Sequence, residues 1–239
     1  IDQLNLRGMF RRMWRSFRGV DTDLTPARNL IAWYQHGVFP AVRAARVAIT
    51  ITAVTFTLFF IAGIGLGLRP EWRLPLETAD TSSSVAVQTL NSYLRPEVQN
   101  TAVALIIVQN GRILLAALLL SIFSFGVASL VLTPAVYVIL GYIISQVALS
   151  GNSLALVAAA IVPHGIVEIP VIVLAAAAAL RLGAVVTRPP TGLTVGQAWM
   201  QTLGETLKIG VGLVLPGLII AALLEAYLTP LVVRAALGG

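Results

Sequence analysis

Pro163-His164-Gly165-Ile166-Val167-Glu168-Ile169-Pro170 lies in the middle of an apolar run from about Ser153 to Leu182, and it supplies every ionisable side chain in that run before Arg181. The run exceeds the roughly 20 apolar residues that carry a helix across a bilayer. Its length decides the fold: a membrane-crossing helix, with polar groups at depth. Each proline removes a backbone donor and crowds the preceding turn, so the helix is expected to be broken between Pro163 and Pro170. His164 and Glu168 are four residues apart, which puts them on one helical face. Ionisable groups at bilayer depth are costly and turn toward a bundle interior, a cavity or each other.

The rest of the chain agrees with a membrane solvent. Hydrophobic residues make up 57% of the sequence, charged residues 11%, and the mean hydropathy is +0.89. Four further apolar stretches are read as spans, at about 47–68, 101–132, 134–149 and 209–228, with the run at 153–182 as the fourth of five. The expected architecture is therefore an all-α polytopic bundle covering residues 47–239, with 69–100 as one long outer loop. No short signal-type core precedes the first span, which is expected to stay in the mature protein.

Residues 1–46 form a separate basic region. Leu6, Met9, Phe10, Met13, Trp14 and Phe17 recur at helical spacing, and Arg7, Arg11, Arg12, Arg15 and Arg18 fill the other face. This predicts an amphipathic surface helix, with Trp14 in the interfacial layer and each Arg adding about 1 kcal/mol of attraction to anionic lipid. Eight Arg and three Asp precede the first span, whereas the loop mixes Arg69, Arg73 and Arg95 with Glu71, Glu77, Asp80 and Glu97. The positive-inside rule then sets the amino terminus in the cytoplasm and the carboxyl terminus outside the cytoplasmic membrane. The bilayer explains the net charge of +6 without a nucleic-acid partner.

Other residues qualify the chemistry. Gln109, Asn110 and Arg112 cluster in the second span, Arg112 with a stem long enough to snorkel. Small residues form stripes on several spans, and the one on the last span ends at Glu225, a possible partner of Arg112. Those stripes fit intrachain packing and a homo-oligomer equally. His164 and Glu168 are two ligands, short of a metal site unless Glu225, another group or water supplies a third, so no metal is assigned. With no Cys, two His in all and no nucleophilic triad or phosphate loop, no catalytic residue and no cofactor are expected.

Val162-Pro163-His164-Gly165-Ile166-Val167-Glu168-Ile169-Pro170, followed by Leu180-Arg181-Leu182-Gly183, resembles the signature of the stage II sporulation protein M family. Gln109-Asn110 falls where the family usually shows a pair of Asn, so this chain departs from the pattern at Gln109. Ala222-Leu223-Leu224-Glu225-Ala226 looks like the family's carboxyl-terminal acidic motif. The resemblance implies a bundle of about five spans. It also implies a membrane anchor, since the namesake acts with peptidoglycan-degrading partners during engulfment, although most relatives occur in organisms that form no endospores. The expected function is thus a noncatalytic scaffold for protein partners in membrane remodelling or envelope processes. The alternative is a transport subunit, a permease or an ion- or proton-coupled one, that uses the broken fourth helix.

Overall fold

The computed structural model describes residues 26–74 and 94–237. The expected surface helix with Arg7, Arg11, Arg12, Trp14, Arg15 and Arg18, and most of the expected outer loop, lie outside the described residues. Among the described residues every regular element is helical. Two short helices, α1 (Pro26–Trp33) and α2 (Phe39–Ala44), are joined by a wide π-helical turn at Tyr34–Val38 and precede α3 (Arg46–Gly67). Then come α4 (Pro96–Phe123), α5 (Val127–Leu149) and α6 (Leu154–Ala184). The chain ends in α7 (Val195–Ile209), α8 (Leu215–Leu223) and α9 (Thr229–Ala236), linked by π-helical turns at Gly210–Val214 and Leu224–Leu228 into one run. The protein is a multi-pass membrane protein with five helices long and apolar enough to cross: α3, α4, α5, α6 and the α7–α9 run.

The exposed face of α3 shows why water is the wrong solvent for it. Val47, Ile51, Val54, Leu58 and Ile61 recur every three or four residues and are each about half exposed or more. At 22 residues the helix is about 33 Å long, enough to cross the hydrocarbon core. Its opposite face buries Ala48, Thr52, Phe56, Gly63 and Gly67 against the bundle. Lipid tails are as apolar as these side chains, so association rests on close packing. A methyl placed on Gly63 would fall on the Val138 backbone of α5, and one on Gly141 would fall on the Phe60 carbonyl of α3. Phe56 and Tyr137 meet beside this contact with ring centroids 4.7 Å apart.

Two expected boundaries move. The reversal between the second and third spans falls at Ser124-Phe125-Gly126 and not before Pro134, which lies inside α5. Phe125 and Gly126 both have positive φ, 53° and 93°, and the Gly126 amide donates to the Ser121 carbonyl at 2.7 Å. Glycine suits that conformation because it has no Cβ. The turn is also seated: a methyl on Gly183 of α6 would strike Ser121 and Gly126. Likewise the last span does not begin near residue 209. Thr194 and Gln197 form a reciprocal capping box that starts α7, and the helix then continues through both π turns to Ala236.

The expected break in the fourth span is absent. α6 is one helix of 31 residues with Pro163 and Pro170 inside it. With no water to compete for the backbone, a membrane helix tolerates the two missing donors when its surroundings compensate. A spacing of seven residues also puts both rings on one face. α6 is the central strut, touching α3, α4, α5, α7, α8 and α9. Its lower half is alanine-rich, with Ala176, Ala177, Ala178 and Ala179 buried, so neighbouring backbones approach closely. Val171, Ala178, Ile209 and Leu218 form one core cluster, and Phe56, Tyr137, Val173 and Ala176 another.

Candidate intramembrane polar site

Because α6 persists through its prolines, His164 and Glu168 sit one turn apart on one helical face, as their spacing predicts. His164 Nε2 is 3.9 Å from Glu168 Oε2, and their side chains are only 15% and 19% exposed. Asn110 of α4 donates from Nδ2 to Glu168 Oε1 at 2.8 Å. Glu225 arrives from the π-helical turn Leu224–Leu228, where the wider backbone interrupts the regular register of the last span. One ligand atom each from His164, Glu168 and Glu225 lie within 4.8 Å of one another. The cluster thus draws on three crossings that are far apart in sequence.

Thr229, one turn beyond Glu225, orients the imidazole. Its hydroxyl donates to the Leu224 carbonyl at 3.2 Å and lies 3.3 Å from His164 Nδ1. Nδ1 thus faces Thr229, and Nε2 is the ring nitrogen directed at the Glu168 carboxylate. Nearby, Tyr227 donates its hydroxyl to Asn100 Oδ1 and ties the π turn to the start of α4.

His164 and Glu168 open onto a cavity of about 230 Å³ between α4, α5 and α6. Asn110, Thr133, Tyr137, His164 and Glu168 contribute its polar lining, and Ile172 is among its apolar walls. Gly165 is buried on the same wall, where a methyl would meet only ordinary contacts with Ile161 and Ile169, so the glycine leaves room and is not forced by crowding. The space is large enough to admit water-sized molecules.

The remaining expected site residues separate. Gln109 and Arg112 are exposed, and Glu225 meets His164 and Glu168 instead of Arg112. Pro170 is exposed and Pro163 half-buried, so the prolines flank the site without lining it. Sequence reading missed Thr229 and Tyr137. A polar residue directly before Pro230 in an apolar helix was the available signal for Thr229. It missed a second polar junction too. Gln146 of α5 is buried, donates to the Gly67 carbonyl at 2.7 Å and accepts from the Leu74 amide at 2.9 Å. Tyr142 donates to the Trp72 carbonyl at 2.6 Å, so α5 holds the chain where it leaves α3.

The fold and the site together define a polytopic all-α membrane protein with a His-Glu-Glu cluster inside its bundle. The family described as SpoIIM, Stage II sporulation protein M, matches residues 51–230, which takes in all five crossings, and the chain belongs to that family. No curated protein and no solved structure matches it.

Proposed function

We propose that this chain is a noncatalytic scaffold of the cytoplasmic membrane that anchors protein partners in membrane remodelling or envelope processes. Membership of the SpoIIM family across residues 51–230 carries that reading. The packing supports it: contacts without room for a methyl, at Gly63, Gly141 and Gly183, make a bundle suited to hold a fixed outer surface. With five crossings the termini fall on opposite sides, and the arginine bias puts the amino end in the cytoplasm. Because the chain has no cysteine, single cysteines introduced before α3 and after α9 report the orientation by labelling with an impermeant maleimide. For the scaffold itself, crosslinking in native membranes followed by affinity purification recovers a partner in fixed ratio. Loss of that partner from the membrane when this gene is deleted supports anchoring, whereas a chain recovered alone defeats it.

A second reading has its own observation. The cavity beside His164 and Glu168 favours a transport subunit, with the cluster as a proton or cation stop within the bilayer. Purified chain in liposomes, loaded with a pH indicator and driven by an ion gradient, tests it. Flux that Glu168→Gln abolishes supports transport; the same leak in both proteins rejects it.

A further inference from the structure

The His164, Glu168 and Glu225 side chains share a volume in which an uncompensated pair of carboxylates is strongly disfavoured. Ligand atoms of all three lie within 4.8 Å of one another, and each residue is partly buried in the membrane-spanning part of the bundle. At that separation in a low dielectric, two bare carboxylates repel by several kcal/mol. Nδ1 of the imidazole points to Thr229, which leaves Nε2 facing Glu168. One nitrogen and two carboxylates thus converge on one volume, and a positive charge belongs there.

We propose that His164, Glu168 and Glu225 bind a divalent first-row transition metal ion, with zinc the best fit. One nitrogen and two carboxylate oxygens make a three-ligand set with a fourth position left for water. Two carboxylates cancel the charge of a dication, leaving a neutral site suited to the bilayer interior. The imidazole selects zinc over magnesium and calcium, which prefer oxygen alone, and over manganese, which is better suited by oxygen ligands. Ligand atoms around a tetrahedral zinc stand about 3.3 Å apart, so the side chains close by roughly an ångström on binding. Glu225 has the freedom to do this, being carried on a π-helical turn. The outer contacts are already in place. Thr229 lies at hydrogen-bond distance from the far ring nitrogen of His164, and Asn110 donates to the far oxygen of Glu168; hydrogen bonds to the far atoms of ligating side chains are what orient them in metal sites. The inference is independent of the scaffold and transport readings, because a metal here would cross-link α6 to the last span whatever the bundle does.

The test uses the full chain in nanodiscs, stripped with chelator, dialysed against micromolar zinc at neutral pH and measured for metal per chain by mass spectrometry. The expected result is one zinc per wild-type chain, with manganese bound more weakly and magnesium not retained. Glu225→Gln and His164→Ala each weaken zinc binding at least about hundredfold, while His36→Ala, which removes the exposed second histidine, leaves it unchanged. Glu225→Gln is nearly isosteric and keeps the test decisive if His164→Ala fails to fold, as judged by helical circular dichroism and size exclusion. No zinc on the wild type would overturn the proposal and leave a proton as the counter-charge. Equal zinc on Glu225→Gln, or loss of zinc with His36→Ala, would overturn it as well.

Discussion

Asn110 and Glu168, on different membrane crossings, are joined by a single hydrogen bond of 2.8 Å from the amide nitrogen to the carboxylate. The Asn lies on the α4 face that buries Gln99 on one side of it and Ala117 and Ser121 on the other, so the contact is held by packing above and below it. Hydrogen bonds between membrane helices contribute less than intuition suggests, on average about 0.6 kcal/mol, because the dissociated helices find other partners.

Asn110→Ala is therefore expected to destabilise the bundle by about 0.5–1.5 kcal/mol, with Glu168→Leu, which removes the acceptor, costing a similar amount. The informative quantity is the coupling. In a double-mutant cycle measured by steric trapping in bicelles, the pair should cost less than the sum of the singles by about 0.5 kcal/mol or more. Strict additivity would mean the contact contributes nothing.

Close approach separates two glycines of α3 that look alike in sequence. A methyl on Gly63 would overlap the Val138 backbone, which cannot swing aside, whereas one on Gly65 meets nothing within 4 Å. Gly63→Ala should cost about 1–3 kcal/mol from overpacking. Gly65→Ala should be neutral or slightly stabilising, since alanine is the better helix former. Thermal unfolding in detergent distinguishes them, and equal melting temperatures would contradict the α3–α5 crossing.

The five crossings were legible in the sequence because hydropathy averages over some twenty residues and needs no tertiary information. Boundaries were less so. Pro134 is more conspicuous than Ser124-Phe125-Gly126, yet the reversal belongs to the latter, where apolar residues on both sides hide the turn from any hydropathy window. The prolines of α6 predict a break only under a rule drawn from helices whose backbone water can reach. His164 and Glu168 were legible as a pair because a four-residue spacing fixes their relation on one helix. Glu225 was legible only as one candidate for a third group and Thr229 not at all, since no spacing rule relates positions on separate crossings. Gln146 escaped for the same reason: its two partners lie at the end of another helix.

Arg181 near the end of α6 donates to Glu205 of α7, and both side chains are largely buried, at 26% and 17% exposure. Gln201 also donates to Glu205, at 3.3 Å, which leaves the carboxylate with two partners. Removing one member of such a pair strands the other. Arg181→Ala is expected to cost about 1–3 kcal/mol, and the charge swap Arg181→Glu with Glu205→Arg to recover part of it. Unfolding midpoints for the single and swapped variants check this, and a swap no better than the worse single would remove the ion pair from the account.

Gln146 gives the last expectation, because its two hydrogen bonds close the exit of α3. Its amide donates to the Gly67 carbonyl, one of the orphan acceptors at the helix end, and its oxygen accepts from Leu74 beyond the short turn at Pro70–Trp72. Gln146→Ala removes both, at about 1 kcal/mol each, while leaving Tyr142 on the Trp72 carbonyl as a remaining tether. The loss should be local: hydrogen exchange at the Leu74 amide quickens by about tenfold while amides in the middle of α3 keep their protection. Adding Tyr142→Phe should quicken it further. Unchanged exchange at Leu74 in both variants would mean that the segment after α3 is held by something other than α5.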